Sequence, residues 1–529
     1  MWQKFQNFIH KENSLIGAAG VLLVTMTLSN ILGLLRDHYL ARNVSTFDLD
    51  IYYAAFRIPD LVFNILIFGA VSAAFIPVFT SYLSKDEKKK AFELANSLIS
   101  IGAAILILLA AVLYFLMPKL THLIVPDFDA FRMQKTVEIS RILLLTPIFF
   151  SISYFIGGML NSFKRFVAYS FAPIIYNLSI IIAAIFFANR FGITAVAWFV
   201  VVGAFLHMLI QAPTAVKLGW NYRPQFDFKN SAVRRVFKLM IPRAVGMGAN
   251  NLMLVVYTAV ASALATGSIA VFNLANNIQT MPTVVFATSF STAVFPSLAY
   301  HFSAGNEESF SSYLTRSMRV IIYLLAPLTV IFILLRAQII RLILGSGKFS
   351  WSDTRMAALT LGWFSFSLIA QGLIPLFAKA YYARHDTKIP TIISVVSIAV
   401  SIIIAFPLSH KMGVAGLALA FSIGSYINAL ILYIWLYRWV PKIFNLEIVW
   451  SVLKIIFASV VMAIVIRYFG HYLYNYFNME RFFGVLEQAT ITAVSGIVVY
   501  FIITYLLGSE EIGWAIKRRV NGRSEEKTK

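Results

Sequence analysis

Apolar stretches of roughly 20 to 28 residues recur from about residue 13 to residue 508, each long enough to cross a hydrocarbon layer about 30 Å thick. About fourteen can be marked off: 13–35, 54–82, 91–117, 133–161, 165–189, 191–216, 236–262, 268–299, 312–335, 356–380, 388–409, 413–437, 450–470 and 484–508. Lipid offers no partner to open backbone groups and the alternation of a barrel strand is missing, so each stretch is predicted to be a helix. The expected fold class is all-α: a polytopic membrane protein with about 14 transmembrane helices. In such a protein, ionisable residues inside the spans mark where function lies.

Composition agrees. Hydrophobic residues make up 59% and charged residues 13%, against about 25% charged in soluble domains. The net charge of +21 raises nucleic acid as a partner. The cations, however, sit mainly in short loops between spans, so no nucleic acid is expected. The chain has no cysteine, which excludes disulfides, thiol catalysis and Cys-ligated zinc or iron–sulfur sites. The N-terminus does not read as a cleavable signal peptide, because its apolar stretch is too long and no small-residue cleavage site follows.

With both termini cytoplasmic, roughly 26 of the 44 Lys and Arg fall in inside loops and tails, about 13 outside and about 5 within spans, as the positive-inside rule requires. The clearest inside clusters are Lys85 with Lys88, Lys89 and Lys90; Lys164-Arg165; Arg234-Arg235; and Lys517-Arg518-Arg519. They read as topology signals beside anionic lipid.

Helix-punctuating residues recur at a nearly constant offset. Pro77 pairs with Pro296, 219 residues on, and Pro173 with Pro390, 217 on. Gly192 and Gly203 pair with Gly413 and Gly424, each 221 on, and NRFGITAVA matches HKMGVAGLA around the first of these. Such ordered pairs indicate an internal duplication. Each repeat then holds six helices, 13–216 and 236–437. Six crossings return the chain to its starting side, so the repeats share orientation. Two parallel six-helix repeats with a cleft between them are the expected body of an alternating-access transporter. The domains expected are an N-terminal six-helix lobe (1–230), a C-terminal six-helix lobe (231–442), two extra helices (443–508) and a cytoplasmic tail (509–529).

The first repeat concentrates charge in GLLRDHYLARNVSTFDLDIYYAAFRIPD. Arg36-Asp37 ends span one, Asp50 opens span two, and Arg57 and Asp60 lie within span two beside Pro59, which bends a helix. Arg141 (three residues after Glu138), Arg243 and Lys379 lie in later spans. A lone charge at the bilayer centre costs at least about 2.5–3.5 kcal/mol, so each must face a partner or water. Glu138–Arg141 reads as an intrahelical pair, and Lys454, near a helix end, as a snorkelling side chain. Arg36, Arg57 and Arg243 either line a hydrated cavity or pair with Asp37, Asp50 or Asp60. A planar guanidinium suits phosphate, so an arginine-lined cavity favours an anionic substrate.

The only phosphate-loop lookalike, GSGKFS at 345–350, lacks the first glycine at the required spacing and has Phe349 after the lysine. No metalloprotease helix motif occurs and the histidines are scattered. The chain therefore reads as neither an ATP-driven pump nor an enzyme, and no cofactor is implied. An ion gradient or the membrane potential must supply the work, and the residues leave open which.

The stretch GLLRD…DIYYAAFRIPDLVFNILIFGAVSAAFIPVF resembles the signature of the MurJ (MviN) lipid II flippases, within the wider superfamily of multidrug and oligosaccharidyl-lipid exporters. So do LNSFKRFVAYSFAPIIYN (160–177), IPRAVG…ASALATGSIAVFNLANN (241–277), LGSGKFSWSDT (344–354) and YYARHDTKIP (381–390). The resemblance implies a flippase that moves undecaprenyl-diphosphate-linked disaccharide-pentapeptide from the inner to the outer leaflet of the bacterial cytoplasmic membrane for peptidoglycan synthesis. It implies a cationic cavity for the diphosphate and sugar, and a groove formed by helices thirteen and fourteen for the lipid tail. Arg36, Asp37 and Asp50 fall on the family's cavity positions, and Arg57 on a position usually basic.

The chain also departs from the family pattern. Asn30 stands where span one usually has arginine, Phe63-Asn64 replace a basic pair, Phe68 replaces an acid, and Asn277 replaces an arginine of span eight. Asparagine still hydrogen-bonds phosphate or sugar, and Arg243 offers a replacement charge. The substrate-binding set is therefore Arg36, Asp37, Asp50, Arg57, Arg243, Asn30 and Asn277. Span eleven contains no carboxylate, which argues against a sodium site there. The partners expected are lipid II and membrane lipids, with the chain acting as a monomer. Two other readings stand beside this one: an exporter of another polyprenyl-linked glycan or an amphiphilic cation, and a non-transporting scaffold for cell-wall assembly.

Overall fold

The computed structural model describes residues 15–68, 74–443 and 446–513, with side chains described except at 15–23, 67–68 and 241–247. The start of span one, Phe68 as a side chain, and most of the expected tail, with its Lys517-Arg518-Arg519 cluster, lie outside the described residues. Among the described residues there is helix and turn but no strand. Nine helical runs among the described residues are long and apolar enough to cross a membrane. The pair Trp351–Ser365 and Leu368–Ala383, bent by 43°, makes a tenth. The run Phe166–Lys217 contains two of the expected spans, because the chain reverses within it at Gly192. The stretches 13–35 and 54–82 include residues outside the described set, and 236–262 includes residues whose side chains are not described. The architecture is thus all-helical and polytopic, consistent with the expected fourteen spans.

Backbone geometry repeats where the punctuating residues do. Positive φ occurs at Asp86 (59°) and Gly305 (67°), at Lys164 (56°) and His385 (59°), and at Gly192 (68°) and Gly413 (60°). Each pair is separated by 219 or 221 residues. At Gly192 and Gly413 an added Cβ would meet no atom within 4 Å. Handedness, not crowding, requires glycine there. After each reversal the two helices pack closely. Ser179 Oγ donates to the Phe199 carbonyl at 2.8 Å, and Ser401 Oγ donates to the Ala420 carbonyl at 2.9 Å. An added Cβ on Gly203 would stand 3.1 Å from Ser179, and one on Gly424 2.6 Å from Ser401. The duplication is therefore visible in turn chirality and in helix–helix contacts alike.

A wide turn also recurs. Asn64–Phe68 and Thr283–Thr288 are π-helical, and their starts lie 219 residues apart. Their local causes differ. Pro282 removes a backbone donor at the second. At the first, Asn64 Nδ2 donates to the Asp60 carbonyl at 2.8 Å, competing for an acceptor of the helical ladder.

The chain forms two compact units. The first comprises Met1–Ala270 with Ser346–Ser350, the second Val271–Gly345 with Trp351–Lys529. The connection past 217 is pinned within the first unit: Trp220 Nε1 donates to Asn96 Oδ1 at 2.8 Å, Asn96 Nδ2 to the Asn221 carbonyl at 3.0 Å, and the Gln225 amide to Ser100 Oγ at 3.1 Å. The first unit is centred on Phe75, Phe79, Leu94, Leu98 and Phe155. The second has one core around Phe310, Leu314, Phe377 and Tyr381. A further core in that unit, around Ile455, Met462 and Tyr500, holds the last two long helices.

Candidate functional site

In the first unit, Arg36 lies near the end of the Leu15–Asn43 helix. Its Nε and Nη2 donate to Asp37 Oδ1 at 3.0 and 2.8 Å, and its Nη1 donates to Asn177 Oδ1 at 3.2 Å. Asn177 Nδ2 in turn donates to the Ser29 carbonyl at 3.3 Å. Ser29 and Arg36 are seven residues apart, hence on one helical face, and Asn177 bridges them. Asp37 is buried, whereas the Arg36 side chain retains 23% of its surface exposed. These bonds use three of the five guanidinium donors. Arg36 is thus oriented by its neighbours and still has hydrogens to offer an anion.

One turn into the next span, Arg57 is buried and its Nε donates to Thr258 Oγ1 at 2.6 Å. Asn64 Nδ2 reaches Asn251 Oδ1 at 3.3 Å, so the Ser231–Ser262 helix holds both. Tyr53 stands within electrostatic reach of Arg36, Asp37 and Arg57, and Tyr176 within reach of Arg36 and Asp60. The Tyr53 hydroxyl is buried and makes no hydrogen bond with the described residues.

The remaining expected residues separate into other places. Asp50 is buried, with Oδ2 accepting from the Gly267 amide at 2.6 Å and Oδ1 from the Ala270 amide at 2.8 Å. Both its oxygens accept from backbone amides at the start of the Ser268–Pro282 helix. Asn30 is partly exposed and turned about 100° from Ser29. The backbone of Arg243 belongs to the Ser231–Ser262 helix, while its side chain lies outside the described residues. The expected Glu138–Arg141 pair is not formed. Glu138 pairs with Lys135 at 2.9 Å, and Arg141 instead donates to the Tyr114 carbonyl at 3.0 Å. Lys379 faces the Phe295 ring at 5.2 Å, and Lys454 Nζ donates to the Gly508 carbonyl at 3.3 Å.

In the second unit, Asn277 is partly buried beside a network of amides. The fully buried Gln279 donates to Asn276 Oδ1 at 3.1 Å and accepts from Gln371 Nε2 at 3.0 Å; Gln371 also donates to Ser367 Oγ at 2.5 Å. These residues, like Asn177, Thr258 and Tyr53, escaped a reading that followed charges. Their signal was present: each is a polar side chain inside an apolar span.

The fold and these polar clusters define a polytopic transporter built on a duplicated helical bundle. The architecture is shared with a solved lipid II flippase MurJ in an inward closed conformation (24% identity, 93% of this chain and 99% of that one, TM-score 0.78). It is also shared with an inward-facing multidrug-resistance transporter of the MATE family (11% identity, 80% and 98%, TM-score 0.70). The model of the family "Lipid II flippase MurJ" matches residues 45–486. A probable lipid II flippase MurJ of Rhizobium tropici is 28% identical, covering 92% of this chain and 93% of the relative. A lipid II flippase MurJ of Burkholderia cenocepacia is also 28% identical, covering 77% and 81%. The chain belongs to the MurJ family, and it is a multi-pass protein of the bacterial inner membrane.

Proposed function

We propose that this chain carries lipid II, a polyprenyl-diphosphate-linked glycopeptide, from the inner to the outer leaflet by alternating access. Both termini would be cytoplasmic and the unit of function a monomer. Family membership supports the substrate, and Arg36, Asp37 and Arg57 support the site. The observation that carries this reading is the pair of arginines in the first unit, Arg36 oriented by Asp37 and Asn177 and Arg57 by Thr258, inside a chain matched to lipid II flippases. Arginine binds diphosphate through paired, charge-assisted hydrogen bonds. Arg36 is the outermost donor and Arg57 the buried one. Asp37 holds the Arg36 fork in place rather than contacting substrate, and Asp50 serves the backbone. Asn30, Asn277 and Arg243 would contact sugar or phosphate where their side chains reach it.

A carrier does work only if its contacts to substrate differ between states. These arginines therefore have to engage the diphosphate unequally on the two sides of the membrane. No bond is made or broken in this process, so the proposal includes no enzymatic step. The test is complementation of a bacterium depleted of its lipid II flippase. Wild-type chain should restore growth without accumulation of the lipid-linked precursor, and Arg57→Ala should not. Failure of the wild-type chain, produced at normal level in the membrane, would refute the substrate. Full activity of both Arg36→Ala and Arg57→Ala would refute the site.

A further inference from the structure

The Leu446–Tyr474 and Phe482–Leu506 helices pack side by side within the second unit. Much of their surface is exposed and apolar, including Leu453, Phe457, Val460, Val494 and Ile502, as lipid contact requires. Near the turn between them this apolar face is interrupted by a pocket of about 470 Å³, lined among others by Leu334, Gln338, Arg467, Tyr468, His471 and Gln488. Arg467 and His471 are four residues apart and so project from one helical face. Arg467 lies seven residues before the end of its helix, about 10 Å along the axis. That is the depth of the headgroup boundary, not of the hydrocarbon centre.

The far wall is fixed. The buried Gln488 donates from Nε2 to the Gly470 carbonyl at 2.9 Å, and Gln338 Nε2 lies 3.5 Å from Gln488 Oε1. Gly470 permits this close approach, since a Cβ there would stand 3.1 Å from Thr492. Among the described residues Arg467 takes part in no ion pair. An exposed guanidinium at that depth, without a carboxylate partner among the described residues, lies level with the phosphates of the lipid headgroups. Tyr468, Tyr472, Tyr474 and Tyr476 are exposed around it, forming the aromatic rim of a membrane–water boundary.

We propose that this pocket binds the phosphate of an anionic glycerophospholipid, with Arg467 and His471 on the phosphate and Gln338 on the glycerol. The volume suits a phosphate with a small polyol, and the flanking apolar faces suit its acyl chains. A disaccharide-pentapeptide would not fit. The site is separate from Arg36 and Arg57 and does not depend on the flippase reading.

The full-length protein is reconstituted in nanodiscs of equal phosphatidylglycerol and phosphatidylethanolamine, and the lipids retained on extraction are counted by native mass spectrometry. Wild type should retain phosphatidylglycerol about fivefold over phosphatidylethanolamine, the factor expected of one cation at a lipid surface. Arg467→Gln with His471→Gln should abolish that preference, and Arg467→Lys with His471→Lys should restore most of it, which separates charge from folding. Arg481→Gln, which removes an exposed cation near the same turn but outside the pocket, should leave it intact. No preference in wild type, an undiminished preference in the double glutamine variant, or an equal loss in Arg481→Gln would each overturn the proposal.

Discussion

At the second helix of each repeat, the offset of 219 sets Arg57 against Asn276, Asp60 against Gln279 and Asn64 against Thr283. The backbone around these positions is alike, down to the π-helical turn that follows. The side chains are not: the ions Arg57 and Asp60 stand where the second repeat has the amides Asn276 and Gln279. The buried charge of the second unit is spent elsewhere. Arg319 donates from Nε to Glu511 Oε1 at 2.7 Å and lies 3.1 Å from Glu510, while Ser451 Oγ donates to Glu511 Oε1 at 2.6 Å. This pair fastens the segment after the last span to two other helices. Duplicated scaffolds thus keep their turns while the charges they carry diverge between the copies.

The comparison can be broken most easily at that fastening. Arg319→Ala strands a buried Glu511 carboxylate, and breaking a buried pair this way costs about 3–5 kcal/mol. The midpoint of thermal unfolding in detergent should drop strongly, and an unchanged midpoint would show that the pair does not hold the second unit together. Replacing both Arg319 and Glu511 with leucine should recover most of the loss.

A second test sets ion against amide. Losing a charge-assisted hydrogen bond of about 1.5–3 kcal/mol slows transport by about ten- to hundredfold, so Arg57→Ala should fall that far in a lipid II flipping assay. Asn276→Ala should fall less, by about two- to tenfold, since a neutral bond contributes about 0.5–1.5 kcal/mol. Equal losses would mean that the two repeats share the load.

The turns sharpen the likeness. Gly192→Ala and Gly413→Ala each force an L side chain into the left-handed region at a cost of roughly 1–2 kcal/mol. Unfolding midpoints of the two variants should agree closely, because neither site adds a clash. Divergent midpoints would show that the reversals are not equivalent. The smallest effect belongs to Asp50. Asp50→Ala removes a cap at about 0.5–2 kcal/mol, while Asp50→Asn, which keeps one acceptor oxygen but sets its NH2 against the second amide, should lose only part of that in the same measurement. A transport defect in Asp50→Asn with unchanged stability would give that carboxylate a role beyond the backbone.

Much of this architecture was legible in the chain. Span length follows from bilayer thickness, and duplication from proline and glycine, whose backbone limits hold whatever surrounds them. The sequence pattern did not disclose that Lys164 and His385 share the left-handed region, because neither residue type announces it. Charges in the first repeat pointed to Arg36, Asp37 and Arg57, but the partners Asn177 and Thr258 come from helices more than a hundred residues away. Spacing alone misassigned Glu138, which had candidate partners three residues away on either side. Asp50 shows the other limit: its acidity drew attention, whereas its use depends on where two amides end up in space.

The reversals at Gly192 and Gly413 each turn the chain at a single residue. So short a joint has no slack to pay out, and the serine-to-carbonyl bonds beyond it lock the adjoining rods together. Each such pair can therefore swing only as one lever arm, and any shape change the protein undergoes has to be absorbed at joints other than these.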